Sequence, residues 1–187
     1  MRILLLAPLA LLAAALPAQN AADPCAVASD CRHVGTVHIE RPDGRGENVK
    51  VDETMPWVTQ DNVMLFPGES VTVRLEMRDG ERVPRLVRAG AVSAGTAPSN
   101  GEIRFTLGGF SKGNLILTVE NSGKEALDYA ALMVTPDGPA RTSVCTLRPG
   151  IPVYESWSAP IVQLALWHFV PATETGCKTL KWGTEAA

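Results

Sequence analysis

The chain contains three histidines, the side chains that most often bind transition metals: His33, His38 and His168. His33 and His38 are five residues apart in the segment HVGTVHIER. An odd separation along a β-strand sends two side chains to opposite faces, so these two are not expected to share a metal ion unless a bulge intervenes. The favoured interpretation is three surface or hydrogen-bonded core histidines, and we assign no metal ligand.

Methionine sulfur is the other metal-binding chemistry, because a thioether suits Cu(I). Four methionines follow the N-terminal region: Met55, Met64, Met77 and Met133. Hydrophobic alternation places Met77 and Met133 on inward rows of strands, where packing in a core explains them better. A periplasmic copper chaperone is therefore kept only as the second alternative function.

Motifs of hydrolytic catalysis are missing from the sequence, which has no GxSxG, no HExxH and no glycine-rich loop followed by Lys-Ser or Lys-Thr. The segment GGFSKG (Gly108–Gly113) looks superficially like a phosphate loop, but it joins two predicted strands and does not open a helix. We therefore predict a hairpin connection there, no catalytic residue and no cofactor. The chain is expected not to be an enzyme, and an enzyme acting on an envelope polymer is the first alternative.

Aromatic side chains next to loops are the main candidates for binding. Trp57 follows Pro56, and the proline-rich segment RPGIPVYESW contains Tyr154 and Trp157. Exposed Trp and Tyr are frequent anchors of protein and glycan interfaces. If these rings instead close the ends of a β-structure, their role is structural.

A run of arginines forms a second candidate surface, in which Arg74 and Arg78 share one strand face and could bind an anion or a polysaccharide. Acidic residues interrupt the run, and the favoured interpretation is that the charges protect an exposed sheet edge. The run comprises Arg74, Arg78, Arg82, Arg85 and Arg88.

The four cysteines are Cys25, Cys31, Cys145 and Cys177. An even number of cysteines in an exported chain indicates disulfides, and the absence of a CxxC motif disfavours zinc. Of three possible pairings we favour Cys25–Cys31 with Cys145–Cys177. In the loop-entropy model the longer loop would contribute roughly 3–4 kcal/mol.

The N-terminus predicts export. Arg2 precedes an apolar run, Leu4–Leu16, of signal-peptide length, and Ala18 suits cleavage. We predict a signal peptide over 1–18, a short arm over 19–32 and one β-sandwich domain over 33–187, located in the periplasm or secreted.

The net charge of the chain is negative. Cleavage of the predicted signal peptide would remove Arg2 and leave 16 basic and 20 acidic residues, a net charge of −4. This balance disfavours nucleic acid as a partner. No later segment is long and apolar enough to span a bilayer.

Period-two alternation predicts strands through the rest of the chain. Inward rows are Val71 to Met77, Ile103 to Leu107, Leu115 to Val119 and Leu127 to Met133, and the last three are expected to form an antiparallel meander. His33–Arg41 predicts a first strand, and DETMPWVTQDN (52–62) an irregular segment. Pro84 favours an edge strand.

The segment from Ile161 to Val170 is apolar at both parities, with Trp167 and Phe169 assigned to one face and Leu164 and Leu166 to the other. A central strand covered on both faces is favoured over a short buried helix. Eight to ten short strands with turns between them predict an all-β fold, an antiparallel β-sandwich, with a β-barrel as the alternative.

The segment LTVENSGKEALDYAALMV resembles the strand–turn–strand units of immunoglobulin-like modules in exported bacterial proteins. This resemblance implies an immunoglobulin-like sandwich and no particular activity. The resulting functional hypothesis is an exported, non-catalytic module that binds a protein or envelope-surface partner. It would do so through loops or a sheet edge.

Overall fold

The computed structural model describes residue 25 and residues 30–41, 43–92, 97–110 and 114–178. These residues form strands and turns without an α-helix. The predicted signal peptide, most of the predicted arm, and Trp182 lie outside them. The strands are β1 (Cys31–Glu40), β2 (Gly46–Pro56), β3 (Val63–Leu65), β4 (Glu69–Arg78), β5 (Glu81–Ala91), β6 (Glu102–Phe110), β7 (Asn114–Asn121), β8 (Leu127–Thr135), β9 (Gly138–Thr142), β10 (Val144–Cys145), β11 (Val153–Trp157), β12 (Gln163–Pro171) and β13 (Cys177–Lys178).

All pairings between these strands are antiparallel, so the predicted all-β antiparallel class is confirmed. The main sheet has the order β11-β7-β6-β4-β5-β12-β8-β9, with β3 also paired to β12, and it curls into a half-barrel. Its two halves join at one residue pair, Phe169 and Arg82. The β1–β2 hairpin and the short β10–β13 ladder are separate from it.

One hydrophobic core draws side chains from both halves of the main sheet. At its centre, the rings of Phe105 on β6, Tyr129 on β8 and Phe169 on β12 lie 6.0–6.3 Å apart by centroid. Burial of such apolar surface is the main stabilising term in a fold of this kind. The rows predicted from β6, β7 and β8 are confirmed as inward: Ile103, Phe105, Leu107, Leu117, Val119, Leu127, Tyr129, Ala131 and Met133 are all buried.

A second, smaller core lies under the β1–β2 hairpin. Its buried members are Val34, Val37 and Ile39 from β1 together with Phe66 and Val162 from the main body. The guanidinium of Arg32 strengthens this attachment, because it donates to both carboxylate oxygens of Glu69 and to the backbone carbonyl of Met64 on β3.

The predicted three-strand meander is wrong after its second strand. β6 and β7 form the expected hairpin, but β8 pairs with β9 and β12. The free edge of β7 is occupied by β11, so β8 has no place beside it. The connection crosses to the other half of the sheet, where Asn121 holds it by donating to the carbonyls of Glu125 and Leu147.

Three further expectations are corrected by the lengths of the hairpins. β2 continues to Pro56, so residues 52–56 belong to a strand, with a bulge at Asp52, and β1 begins at Cys31 rather than at His33. Met77, predicted as inward, is 62% exposed. The pairing of β4 with β6 ends at Arg74, so the tip of the β4–β5 hairpin projects beyond the covered part of the sheet.

The apolar segment near the C-terminus is strand β12, and the helical alternative is wrong. β12 pairs with β8 on one side and with β3 and β5 on the other, so its central position is confirmed. The β5 edge beyond Arg82 has no ladder to β12, which fits the position of Pro84.

Coverage of both faces of β12 is incomplete. Leu164 and Leu166 are fully buried, whereas Ala165 and Trp167 on the other face are only half-buried.

Both disulfides have the favoured pairing, Cys25–Cys31 and Cys145–Cys177, and no described cysteine is free. Two disulfides indicate an oxidising location, either extracellular or periplasmic. The described residues contain no helix that is long and apolar enough to cross a membrane.

Candidate functional site

The structure separates the three aromatic residues proposed for binding. Trp57 is half-buried under the guanidinium of Arg32, 3.8 Å from its ring centroid. Trp157 is half-buried and packs against the main core. Tyr154 is 66% exposed. Trp57 and Trp157 therefore have structural contacts, and Tyr154 is the member of this group available to a partner.

Tyr154 lies on β11, which forms one end of the main sheet and pairs only with β7 among the described strands. Its neighbour Ser156 is also exposed, whereas Glu155 points inward and is buried. Pro152 and Pro160 flank the strand, and a proline cannot donate to a ladder. The open edge of β11 is therefore limited to about five residues.

The outer face beside Tyr154 carries a row of hydroxyl groups. Tyr154 is in register with Thr118 on β7, which is in register with Thr106 on β6 and then Ser70 on β4. The hydroxyls of Ser70 and Thr106 are 3.0 Å apart. We call the exposed part of β11 with Tyr154, Ser156 and this row the β11 surface.

The arginine run is largely occupied by ion pairs. Arg74 and Arg88 lie 3.5 and 3.1 Å from the carboxylate of Glu102. That carboxyl is buried, and the N–H of Ser99 and the two arginines lower its pKa. Arg82 binds Glu125 and Arg85 binds Glu76. The predicted pair Arg74 and Arg78 therefore do not form a free basic patch, because Arg74 is bound to Glu102.

His33 and His38, which were expected on opposite faces of a strand, are both exposed. The β1–β2 register shifts between Val34 and Thr36, with Asp52 in the left-handed region at φ 54°. The extra residue is on β2, where Val51 and Asp52 lie opposite Gly35 alone. On β1 both histidines are exposed, whereas the neighbouring Val34 and Val37 are buried. Nε2 of His33 is 3.5 Å from Asp52, and Nδ1 of His38 is 2.9 Å from Asn48.

Metal-ligand geometry is not present in the described part of the chain, where no three His, Cys, Asp or Glu side chains lie close enough to hold one ion. Met55 contacts Gln163, and Met133 is buried.

A second bulge, in β12, builds a pocket of about 330 Å³. The register with β8 shifts between Trp167 and Val170, and His168 has a φ of 56°. The extra residue lets Phe169 turn into the core while His168 is exposed at the pocket. The pocket is lined by polar side chains of Asp61, Glu81, Arg82 and His168 and by Trp167. We call it the β12 pocket.

Sequence reasoning missed Glu155, and it considered His168 only as a metal ligand and missed its position at a pocket. No signal in the sequence indicated the position of His168, because the segment from Ile161 to Val170 is apolar at both odd and even positions and does not show that Leu166 and Phe169 both face inward. Glu155 had no signal either, since an isolated glutamate on a short strand is usually exposed.

No protein-family model matches the chain, and neither a curated protein nor a solved structure matches it.

Proposed function

We propose that the chain is an exported, non-catalytic binding module that holds an extended segment of a protein partner along the β11 surface. The observation that supports this most is the exposure of Tyr154 on a strand whose outer edge has no ladder among the described strands. An open edge offers backbone N–H and C=O groups to an added strand, and an exposed aromatic ring supplies an anchor.

The fold part of the proposal is an immunoglobulin-like β-sandwich in the periplasm or outside the cell. In support, the half with β4, β5, β6, β7 and β11 and the half with β3, β8, β9 and β12 contribute side chains to one core. They are linked by the single pair of Phe169 and Arg82. Such an arrangement is typical of two layers joined at one side.

The experiment uses a photo-crosslinking amino acid placed at Tyr154 of the full chain in the native cells. The matched control is Met77, which is similarly exposed at 62% but lies at the tip of the β4–β5 hairpin. We expect a distinct protein adduct at Tyr154 and none at Met77. With that purified partner, hydrogen exchange of the β11 amides should slow.

The same pair of positions tests affinity. Tyr154→Ser keeps a hydroxyl and removes the ring, and we expect it to weaken partner binding about 10- to 100-fold, as for an anchor residue. Met77→Ser should leave binding unchanged. Equal adducts at both positions, unprotected β11 amides, or an adduct with a second copy of the chain only would each contradict the proposal.

A second candidate function is an enzyme acting on an envelope polymer, and the β12 pocket favours it. His168, Asp61 and Glu81 line one concavity, and residues with unusual backbone conformations concentrate at active sites. Hydrolysis of peptidoglycan fragments that is lost in His168→Asn would support this function. No turnover of such fragments would remove it.

A further inference from the structure

Glu155 is a buried carboxyl group placed against the Cys145–Cys177 disulfide. Its side chain points from β11 into the protein, and the residue is 7% exposed. Oε1 accepts a hydrogen bond from the backbone N–H of Cys145, and Oε2 lies 3.7 Å from Sγ of the same residue. The proposed binding function does not require a carboxyl group at this sulfur.

The contact between Oε2 and Sγ can be a hydrogen bond in only one of the two redox states of Cys145. A sulfur atom in a disulfide carries no hydrogen, so it cannot donate to the carboxylate. In the reduced state Cys145 is a thiol, and its S–H can donate to Glu155. The site therefore provides a proton acceptor that is useful only when the bond opens.

The two sulfur-bearing residues differ in their access to solvent. Cys177 is exposed on β13, whereas Cys145 is half-buried on β10 beside Glu155. An incoming thiolate must reach a disulfide sulfur directly. It would therefore reach Cys177 first and leave Cys145 as the departing sulfur.

The strands that carry the cysteines are also held together by contacts other than the disulfide. Nζ of Lys178 lies 2.6 Å from Oδ2 of buried Asp128, and the hydroxyl of Thr146 donates to Oδ1 of Asp128 at 2.8 Å. The N–H of Thr146 donates to the carbonyl of Gly176. These contacts keep Cys145 and Cys177 adjacent after reduction, so the bond can re-form.

We propose that Cys145–Cys177 is an exchangeable disulfide whose reaction partner is a thiol and whose proton donor and acceptor is Glu155. The thiolate of the partner attacks Sγ of Cys177, an S–S bond forms between them, and the bond between Cys177 and Cys145 breaks. Cys145 leaves with the electron pair and takes a proton from the carboxylic acid of Glu155. In the reverse direction the carboxylate removes that proton, Cys145 attacks Sγ of Cys177, and the partner departs as a thiolate.

The surroundings of Glu155 suit this role. Burial raises the pKa of its carboxyl group, against the opposing effect of the hydrogen bond from the N–H of Cys145. A carboxyl group with a raised pKa is a better base towards a thiol than an exposed one. Tyr129 lies next to it in the core; its hydroxyl has no hydrogen-bond partner within the described residues, and burial, followed by the charge of Glu155, raises its pKa.

The test uses the full oxidised chain with reduced and oxidised glutathione as the thiol probe. Samples are quenched with acid, alkylated with two isotopic labels and analysed by peptide mass spectrometry, so each disulfide is followed separately. Cys25–Cys31 is the internal control. We expect Cys145–Cys177 to open and re-form at least about 10-fold faster than Cys25–Cys31, with the near-ultraviolet circular dichroism of the folded chain retained.

The variant Glu155→Gln keeps an oxygen that can accept from the N–H of Cys145 but removes the proton acceptor. We expect re-formation of Cys145–Cys177 to slow at least about 10-fold between pH 6 and 8, with a changed pH profile. Cys25–Cys31 should be unaffected, and Glu102→Gln, at a buried carboxyl group outside this cluster, should leave both rates unchanged. If Glu155→Gln does not fold, Glu155→Asp, which withdraws the carboxyl group, should show the same slowing.

Opening of Cys145–Cys177 only at the rate of global unfolding would overturn the proposal. An unchanged rate of re-formation in the folded Glu155 variant would also overturn it, as would equal effects of that variant on both disulfides.

Discussion

The guanidinium of Arg32 binds both carboxylate oxygens of Glu69, with Nε to Oε1 and Nη2 to Oε2 distances of 2.7 and 2.8 Å. The same guanidinium donates to the carbonyl of Pro56 and lies over the ring of Trp57. Glu69 in turn accepts from the backbone N–H of Phe66. This pair joins the β1–β2 hairpin to the main sheet, because Arg32 is on β1 and Glu69 begins β4.

Removing one member of the pair should destabilise the chain more than removing an exposed ion pair. The side chains of Arg32 and Glu69 are only 10% and 15% exposed. We expect Arg32→Gln to lower the free energy of unfolding by about 3 kcal/mol, because Glu69 is left with an uncompensated charge. Urea unfolding followed by tryptophan fluorescence measures it.

The control for this prediction is Arg85→Gln, at an exposed pair with Glu76. It should cost less than about 1 kcal/mol. Equal losses for the two variants would show that the Arg32–Glu69 pair does not anchor the hairpin.

The backbone of His168 predicts a stabilising substitution. Its φ of 56° lies in the left-handed region, where an L-residue costs roughly 1–2 kcal/mol and glycine does not. We expect His168→Gly to raise the free energy of unfolding by about 1 kcal/mol. His168→Ala keeps the Cβ atom and should give no such gain, so the difference between the two variants reports the strain. A loss of stability in the glycine variant relative to the alanine variant would refute this.

Phe169 should be among the core residues whose truncation lowers the free energy of unfolding most. Phe169 is 2% exposed and stacks on Tyr129 with an interplanar angle of 10°. We expect Phe169→Ala to cost about 3–5 kcal/mol through lost burial and a residual cavity. Tyr154→Ser removes an exposed ring, and its free energy of unfolding should lie within about 0.5 kcal/mol of that of the parent. A comparable loss at Tyr154 would mean that its ring supports the fold rather than a partner.

Two buried carboxyl groups should give the stability opposite dependences on pH. Burial raises the pKa of Glu155, so the folded state binds more protons than the unfolded state above the usual value of 4.5. Its stabilising contribution is then lost as the pH rises through the raised pKa. At Glu102 the N–H of Ser99 and the two arginines lower the pKa, so its contribution is lost as the pH falls through the lowered pKa.

The measurement is the free energy of unfolding from pH 3 to pH 8 with both disulfides oxidised. Glu155→Gln should remove the decline towards neutral pH, whereas Glu102→Gln should be destabilising at neutral pH and nearly neutral at acid pH. Parallel pH profiles of the two variants and the parent would contradict both assignments.

The alternation of apolar and polar residues predicted the strands whose pairing has no register shift. In β6 and β7 every second side chain faces the core, so parity alone located Phe105, Leu117 and their neighbours. Where one extra residue enters a strand, parity fails, as it did for Phe169 after the β12 bulge. A bulge is fixed by the pairing partner, which lies elsewhere in the sequence.

Strand order was also beyond what local pattern can predict. The hairpin of β6 and β7 follows from adjacency, but the placement of β8 depends on β11 having taken the edge of β7. Likewise, Glu69 lies 37 residues from Arg32, and nothing near either residue indicates the other. The exposed Tyr154 was identified from residue type and proline context, while Glu155 beside it needed the position of Cys145.

The spacing of the two disulfides gives the chain an order of oxidation during synthesis. Cys25 and Cys31 are 6 residues apart and precede β2, so this loop can close when little of the polypeptide has emerged. The second bond spans 32 residues and encloses β11 and β12, so it must wait until twelve strands have left the ribosome or translocon. If the early loop is already closed, the half-made chain exposes Cys145 as a single thiol with no intramolecular partner to mispair with.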